Sequence, residues 1–478
     1  MSEIRYVCLS DTHFGEEDSI LTNLKEGGTG VDPTRPSPVL ESLVECLRDI
    51  IEKQNPTTRP SLVLNGDILE LALCDTHEAA MAFLRFVELA MKKDRELFDA
   101  IIYIPGNHDH HLWETARETQ YVNHIRTQAS EPLEPPWHTT RPPAENQRIK
   151  VPSLFMSRLI QRIPHLREKE MEILVYYPNF GIKSPDARRC VVFTHGHYIE
   201  PLYRLMTHLK CVVFPDQKPP ATIDGIEAEN FAWIDFFWST MGRSADVGRG
   251  VEAVYEKLQY AKGLSGIVSN LSRELADQFD IPLLWEGAEA KLFQAVFGRL
   301  LKRAGSRERS DVGSALGFRA EEGLRRYVSG PLLAQIRHEI GSLLDEVTVV
   351  FGHTHKAFQK DMQKLDGLPR WVNVYNTGGW VVETTEPEPI HGGAVVLIDE
   401  QLRATSLCMY HETREAGDYR VSVEEASHVG ERGNPFHQEV VEGVHPEADP
   451  WRRFSELAAA AVRERADLLQ RRVSARED

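Results

Sequence analysis

The chain has no C-x-x-C pair and no dense cysteine framework. Its six cysteines, Cys8, Cys46, Cys74, Cys190, Cys211 and Cys408, are scattered through 478 residues. A disulfide-stapled scaffold is excluded and buried, reduced thiols are expected. No stretch approaches ~18 consecutive apolar residues, so no membrane-spanning helix is expected. The opening MSEIRYVCLSD enters a strand-like run directly, with no charged-then-apolar signal segment, and a cytoplasmic location is the simplest expectation. Basic residues are also in short supply: 55 Lys and Arg stand against 72 Asp and Glu, a formal charge of −17. A field of that sign repels nucleic-acid backbones, so a nucleic-acid partner is disfavoured and needs a locally basic groove. Anionic substrates are repelled too, unless cations in the site reverse the local field. There is no internal repeat. What remains is an ordinary globular balance, 41% hydrophobic and 27% charged, long enough for two or three domains or for one enlarged by insertions.

Short apolar runs recur, each ending in glycine, aspartate or histidine: IRYVCLSD (4–11), SLVLNGD (61–67), AIIYIPGNHD (100–109), RCVVFTHGH (189–197), EVTVVFGHTH (346–355) and VNVYNTGG (372–379), followed by AVVLID (394–399). Their length and their Val and Ile content predict buried strands. Between the first of them lie helical patterns. Leu40, Leu43, Val44, Leu47 and Ile51 form one stripe over 37–53, and 76–97 has similar spacing. Strands alternating with helices predict an α/β domain with its site on the loops after the strands.

Three parts interrupt this core. Residues 130–147 are rich in proline and polar residues and read as a surface loop. Residues 199–345 carry helical patterns and few strand-like runs, which predicts a helical insertion. The chain from 413 onward begins acidic and loop-like and ends in a helix, with Asp449 as its cap, Pro450 in its first position and Phe454, Leu457, Ala461 and Leu468 as its apolar stripe. That helix is expected to dock on the body or on a sister chain.

The polar ends of the strands carry the chemistry. They are Asp11-Thr12-His13, Gly66-Asp67, Gly106-Asn107-His108-Asp109, His195, and Gly352-His353-Thr354-His355. Residues two apart in a strand point to one side, so His353 and His355 are expected to project together, as are Asp11 and His13. Each end taken singly reads as a turn or a surface histidine. Gathered at one edge of a sheet, they supply carboxylates, an amide and imidazoles to one place, a mixed O/N donor set that suits Mn, Fe, Zn or Co. His197, His110 and His111 lie nearby and are assigned supporting or surface roles.

The series D-x-H, GD, GNHD, H and GHTH resembles the calcineurin-like metallophosphoesterase superfamily over roughly 1–198 and 346–412. The resemblance implies a metallophosphoesterase-type β-sandwich flanked by α-helices (α-β-β-α). Residues 199–345 then form a helical cap and 413–478 a C-terminal extension. It also implies two divalent metal ions, manganese favoured. Asp11, His13 and His355 would hold one, Asn107, His195 and His353 the other, and Asp67 would bridge them. His108 would be the catalytic histidine, with Asp109 orienting it. The implied activity is hydrolysis of phosphoric esters through a hydroxide between the metals, acting on a phosphorylated small molecule chosen by the cap.

Within the cap, NFAWIDFFWSTMG (230–242) concentrates aromatics, and Arg299, Lys302, Arg303, Arg307 and Arg309 form a basic block. The first is expected to be a core helix or an oligomer contact, the second a solvated face. A helical insertion at this place resembles the lid of the UDP-2,3-diacylglucosamine hydrolases. The chain departs from them in its larger insertion and in the His of GNHD, where their pattern has Arg. The alternatives are a metal-dependent nuclease, a lid-covered nucleotide-lipid pyrophosphohydrolase and a non-catalytic scaffold of the same fold. Asn376-Thr377-Gly378-Gly379 follows the next strand and reads as a plain turn, with support of the metal shell as the alternative.

Overall fold

The computed structural model describes residues 2–127, 151–186, 188–235, 314–340, 344–363, 371–426 and 433–477, with isolated positions between them. The proline-rich stretch, the second half of 230–242 and the basic block beginning at Arg299 lie outside the described residues.

Among the described residues, twelve strands form two sheets. They are β1 Ile4–Leu9, β2 Ser61–Leu64, β3 Ile101–Tyr103, β4 Ile173–Val175, β5 Asn179–Lys183, β6 Arg189–Thr194, β7 Glu346–Phe351, β8 Ala357–Gln363, β9 Trp371–Thr377, β10 Gly392–Asp399, β11 Ala404–His411 and β12 Ser422–Glu424. The larger sheet runs β12-β11-β10-β1-β2-β3-β4 and the smaller β5-β6-β7-β9-β8. In the first, β1 to β4 are parallel. In the second, β6, β7 and β9 are parallel. The polar ends of the parallel strands therefore emerge together.

Strand alternation divides the core into layers. Cys8, Val63, Ile102, Phe180, Val191, Phe193, Val350 and Val396 pack together between the sheets. Their neighbours Val7, Leu9, Leu62, Leu64, Val192, Val349 and Phe351 belong to the cluster that carries the helices. The result is the α-β-β-α sandwich. Helix α1 (Pro38–Gln54) starts where Ser37 Oγ accepts from Leu40 N, with proline at its first position. Helix α2 (Thr76–Ala90) is capped by Asp75. Helix α3 (His111–Arg126) begins directly after the GNHD loop and has no side-chain cap.

Among the described residues between β6 and β7, every regular element is helical. The chief ones are Leu205–Val213, Ile223–Ile234, Phe318–Tyr327 and Leu333–Ile340. Tyr327 donates to Asn179 Oδ1 at 2.9 Å, tying this group to β5.

Several readings need correction. Strands β4, β5, β8, β11 and β12 escape the sequence patterns because they are short, polar in part or lie towards sheet edges. The last lies inside the stretch expected to be loop. The terminal helix spans Trp451–Glu477, so Pro450 lies outside it, and the Asp449 carboxylate pairs with Arg452 at 2.9 Å. Its buried stripe is Trp451, Phe454, Ala458, Val462, Ala466 and Leu468, while Leu457 and Ala461 are only partly buried. The helix docks on this chain's own body: Trp451 Nε1 donates to Asp49 of α1 at 3.0 Å.

Candidate metal centre

Strand β1 ends at Leu9 and β7 at Phe351, so the histidine pairs stand beyond the strands rather than on them. Asp11, His13, Asp67, His353 and His355 all have left-handed backbone, with φ between 43° and 70°. They are five of the eight non-glycine residues with positive φ among the described residues. Strand alternation is therefore the wrong reason for their convergence. Each pair is turned inward by a loop, and strain of this kind collects where surrounding contacts over-determine the backbone.

Those contacts are visible. Asp11 N donates to Gly66 O at 2.9 Å and His13 N to Asp67 O at 3.0 Å, stitching the loop after β1 to the loop after β2. Gly352 N donates to His195 O at 2.9 Å, joining the loops of the second sheet. His353 N donates to Asp11 Oδ1 at 2.9 Å and crosses from one sheet to the other. The motif glycines make room for this. A Cβ on Gly66 (φ +88°) would lie 2.3 Å from His195 Nδ1, and one on Gly352 would lie 2.0 Å from Asp11 Oδ2.

A group of His13, Glu70 and His108 adjoins two further three-residue groups of buried donors: Asp11 with His13 and His355, and Asp67 with His195 and His353. Asp67 Oδ2 stands between them, 3.8 Å from His13 Nε2 and 3.2 Å from His195 Nε2. Asn107 Oδ1 lies 3.0 Å from His195 Nε2. All seven residues named as ligands in the sequence thus meet at one place, and His108 stands beside them, its ring 4.8 Å from that of His13.

Asp109 behaves differently from expectation. Its carboxylate accepts from the backbone N–H groups of Gly106 at 2.6 Å and Ile68 at 2.8 Å, and more distantly from those of Asp67 and Leu69. It holds the loops together and does not orient His108. Burial, reinforced by Asp67, pushes its carboxyl up to about 6. The group on His108 is Glu70, fully buried, whose Oε2 lies 2.7 Å from His108 Nδ1 and 2.8 Å from His13 Nδ1. Glu70 Oε1 is fixed by the N–H groups of Ala72 and Leu73 at 2.8 and 2.9 Å. Sequence reasoning missed it. The available signal was a carboxylate inside the apolar run ILELAL, three residues after Asp67. It also missed Glu383, 2.8 Å from His355 Nδ1, and Glu200, 3.0 Å from His353 Nε2.

The electrostatics follow from burying carboxylates and imidazoles side by side. Burial works to raise Asp11, but His355 and His195 outweigh it and hold the carboxyl below its ordinary range. Asp67 is held further down, with His195 and His108 overcoming its burial. Burial opposes charge on His195 too, yet Asp67 and Asp11 lift it to about 9. His197 is pushed well below its ordinary value, by burial first and then by His195 and His353, and Tyr177 Oη lies 3.0 Å from its Nε2. It packs behind His195 as a neutral ring.

The donor set suits a divalent cation. His13 Nδ1 is engaged by Glu70, His355 Nδ1 by Glu383, and His195 Nδ1 by the Asn65 carbonyl at 3.2 Å. Each leaves Nε2 facing the centre, the arrangement that orients imidazoles on metals. His13 Nε2 is buried and has no hydrogen-bond partner among the described residues, a cost that a cation would remove. Asn376, at the end of β9, fits the supporting alternative rather than the plain turn: its Nδ2 donates to Gly352 O at 3.1 Å and to Thr354 Oγ1 at 2.9 Å.

Residues 4–210 match the family described as calcineurin-like phosphoesterase. This part of the chain is a calcineurin-like phosphoesterase domain. Membership implies metal-dependent hydrolysis of phosphoric esters. A search of curated proteins found no match. Among the described residues no helix is long and apolar enough to cross a membrane.

Proposed function

We propose that the phosphoesterase domain works through a dinuclear centre. Asp11, His13 and His355 hold one cation, Asn107, His195 and His353 the other, and Asp67 is shared. The observation that carries this is Asp67 Oδ2, placed between His13 of one buried group and His195 of the other. Two divalent cations, manganese favoured, would supply Lewis acidity that activates water and neutralises phosphoryl oxygens.

The remaining work falls to the chain. His108, positioned by Glu70 through Nδ1, presents its other nitrogen to donate a proton to the departing oxygen. Glu70 keeps the proton on Nδ1 and stabilises the imidazolium. Asn107, as a neutral ligand, limits negative charge and so eases the approach of an anionic phosphate to a chain of net charge −17. Residues 199–345 act as a cap that selects a phosphorylated small molecule. The ring of Tyr203, from the start of that segment, lies 5.0 Å from that of His353, which supports this placement.

The test is hydrolysis of bis(p-nitrophenyl) phosphate by the Mn²⁺-loaded protein, comparing wild type with Asp67→Ala and His108→Ala. The reading predicts a large loss in both and loss of bound metal only in the first. Three equally inert, metal-free proteins would sink it and favour a scaffold.

A further inference from the structure

Among the described residues outside the centre, one more group of ligating side chains converges. His111 and Glu114, one turn apart on α3, share a face with Asp235, which follows the helix Ile223–Ile234. His111 Nδ1 lies 2.9 Å from Glu114 Oε2 and 3.8 Å from Asp235 Oδ1. Two ligands on a tetrahedral ion with bonds of ~2.0–2.1 Å stand ~3.3 Å apart, so these separations bracket the spacing a cation would impose.

A second observation points the same way. His110 is fully buried, and neither of its ring nitrogens has a hydrogen-bond partner among the described residues. Its Nδ1 faces Asp235 Oδ1 at 3.5 Å, and its ring packs edge-on against Tyr177 and Phe231. A buried, unpartnered imidazole aimed at Asp235 gains a carboxylate partner once that side chain is fixed on a cation.

We infer that His111, Glu114 and Asp235 form an additional divalent-cation site that fastens the helix Ile223–Ile234 to the start of α3. The N-terminal dipole of α3 opposes a cation there, and two carboxylates outweigh its half-charge. One imidazole and two carboxylates suit zinc, manganese or cobalt. A cleft of about 550 Å³, lined by Glu114, Arg117 and Phe231 among others, opens beside the site and provides entry. The neighbouring cation Arg117 is drawn off by Glu227, at 3.1 Å. The ion would couple the helical segment to the loop that carries His108.

The test uses the full chain, stripped with chelator, reloaded with Zn²⁺ and assayed for metal per chain by mass spectrometry. Asp235→Asn and Glu114→Gln should each hold one equivalent less than wild type. Asp67→Asn should lose metal from the strand-end centre and keep this equivalent, so failure here is separable from failure of the dinuclear reading. Glu114 is 42% exposed on a helix surface, and its glutamine variant is expected to fold. In hydrogen exchange, Zn²⁺ should slow the amides of Ile223–Ile234 in wild type and in Asp67→Asn, but at least tenfold less in Glu114→Gln. Equal metal content in wild type, Asp235→Asn and Glu114→Gln, or zinc-independent exchange of that helix, would overturn the inference.

Discussion

The strand-end centre and the seat of the terminal helix are both buried, but they are built from opposite materials. At the centre, Asp67, Glu70, His13, His108 and His195 are almost wholly shielded from water and face one another at 2.7–3.8 Å. At the helix seat, Trp451, Phe454, Ala458 and Val462 bury apolar surface on α1 and the larger sheet, and the buried charge of that helix, Arg465, donates to the Thr22 carbonyl at 2.8 Å. Polar burial gains its worth from what it can bind, whereas apolar burial gains it from leaving water. The first region should therefore govern activity and the second stability.

Crossing that division is the way to test it. Asp67→Ala should lower hydrolysis at least about a thousandfold, on the order of 4 kcal/mol in the barrier, while the metal-free protein still unfolds cooperatively. Steady-state kinetics with a thermal melt measures both. Phe454→Ala should do the reverse, removing about 3–5 kcal/mol of stability in denaturant titration and leaving kcat unchanged where the protein stays folded. Glu70→Gln keeps an oxygen for Ala72 and Leu73 but removes the charge shared by His108 and His13. A loss of about 10–100-fold in activity or metal affinity is expected, with a changed pH profile that a purely structural role would not produce. The smallest effect belongs to Arg472, which pairs with Glu17 and Asp18 from the end of the helix and is 37% exposed. Arg472→Ala should cost no more than about 1 kcal/mol, and less at high salt. If Arg472→Ala abolished activity, the two regions would not be separate.

Much of the centre was legible because its residues sit in short motifs, each directly after an apolar run. GD, GNHD and GHTH could be read as strand ends; GD and GNHD fall within residues 4–210, which match the family, and GHTH lies beyond that match. Glu70, Glu200 and Glu383 were not legible. Glu70 hides in an apolar run, and the other two come from helical and loop segments that only folding brings to His353 and His355. Asp109 was misread for the same reason. Adjacency to His108 in sequence suggested contact, whereas the turn points its carboxylate at the N–H groups of Gly106 and Ile68.

By itself the sequence determined the strands that carry the site, the site's donor types and their order, because apolar runs and residue chemistry are local properties. The tertiary structure decided which nitrogen of each histidine is held, which carboxylate serves His108, and that His353 and His355 converge through left-handed loop backbone rather than strand alternation. Those outcomes depend on groups far apart in the chain meeting inside a closed loop network, and no single segment carries that information.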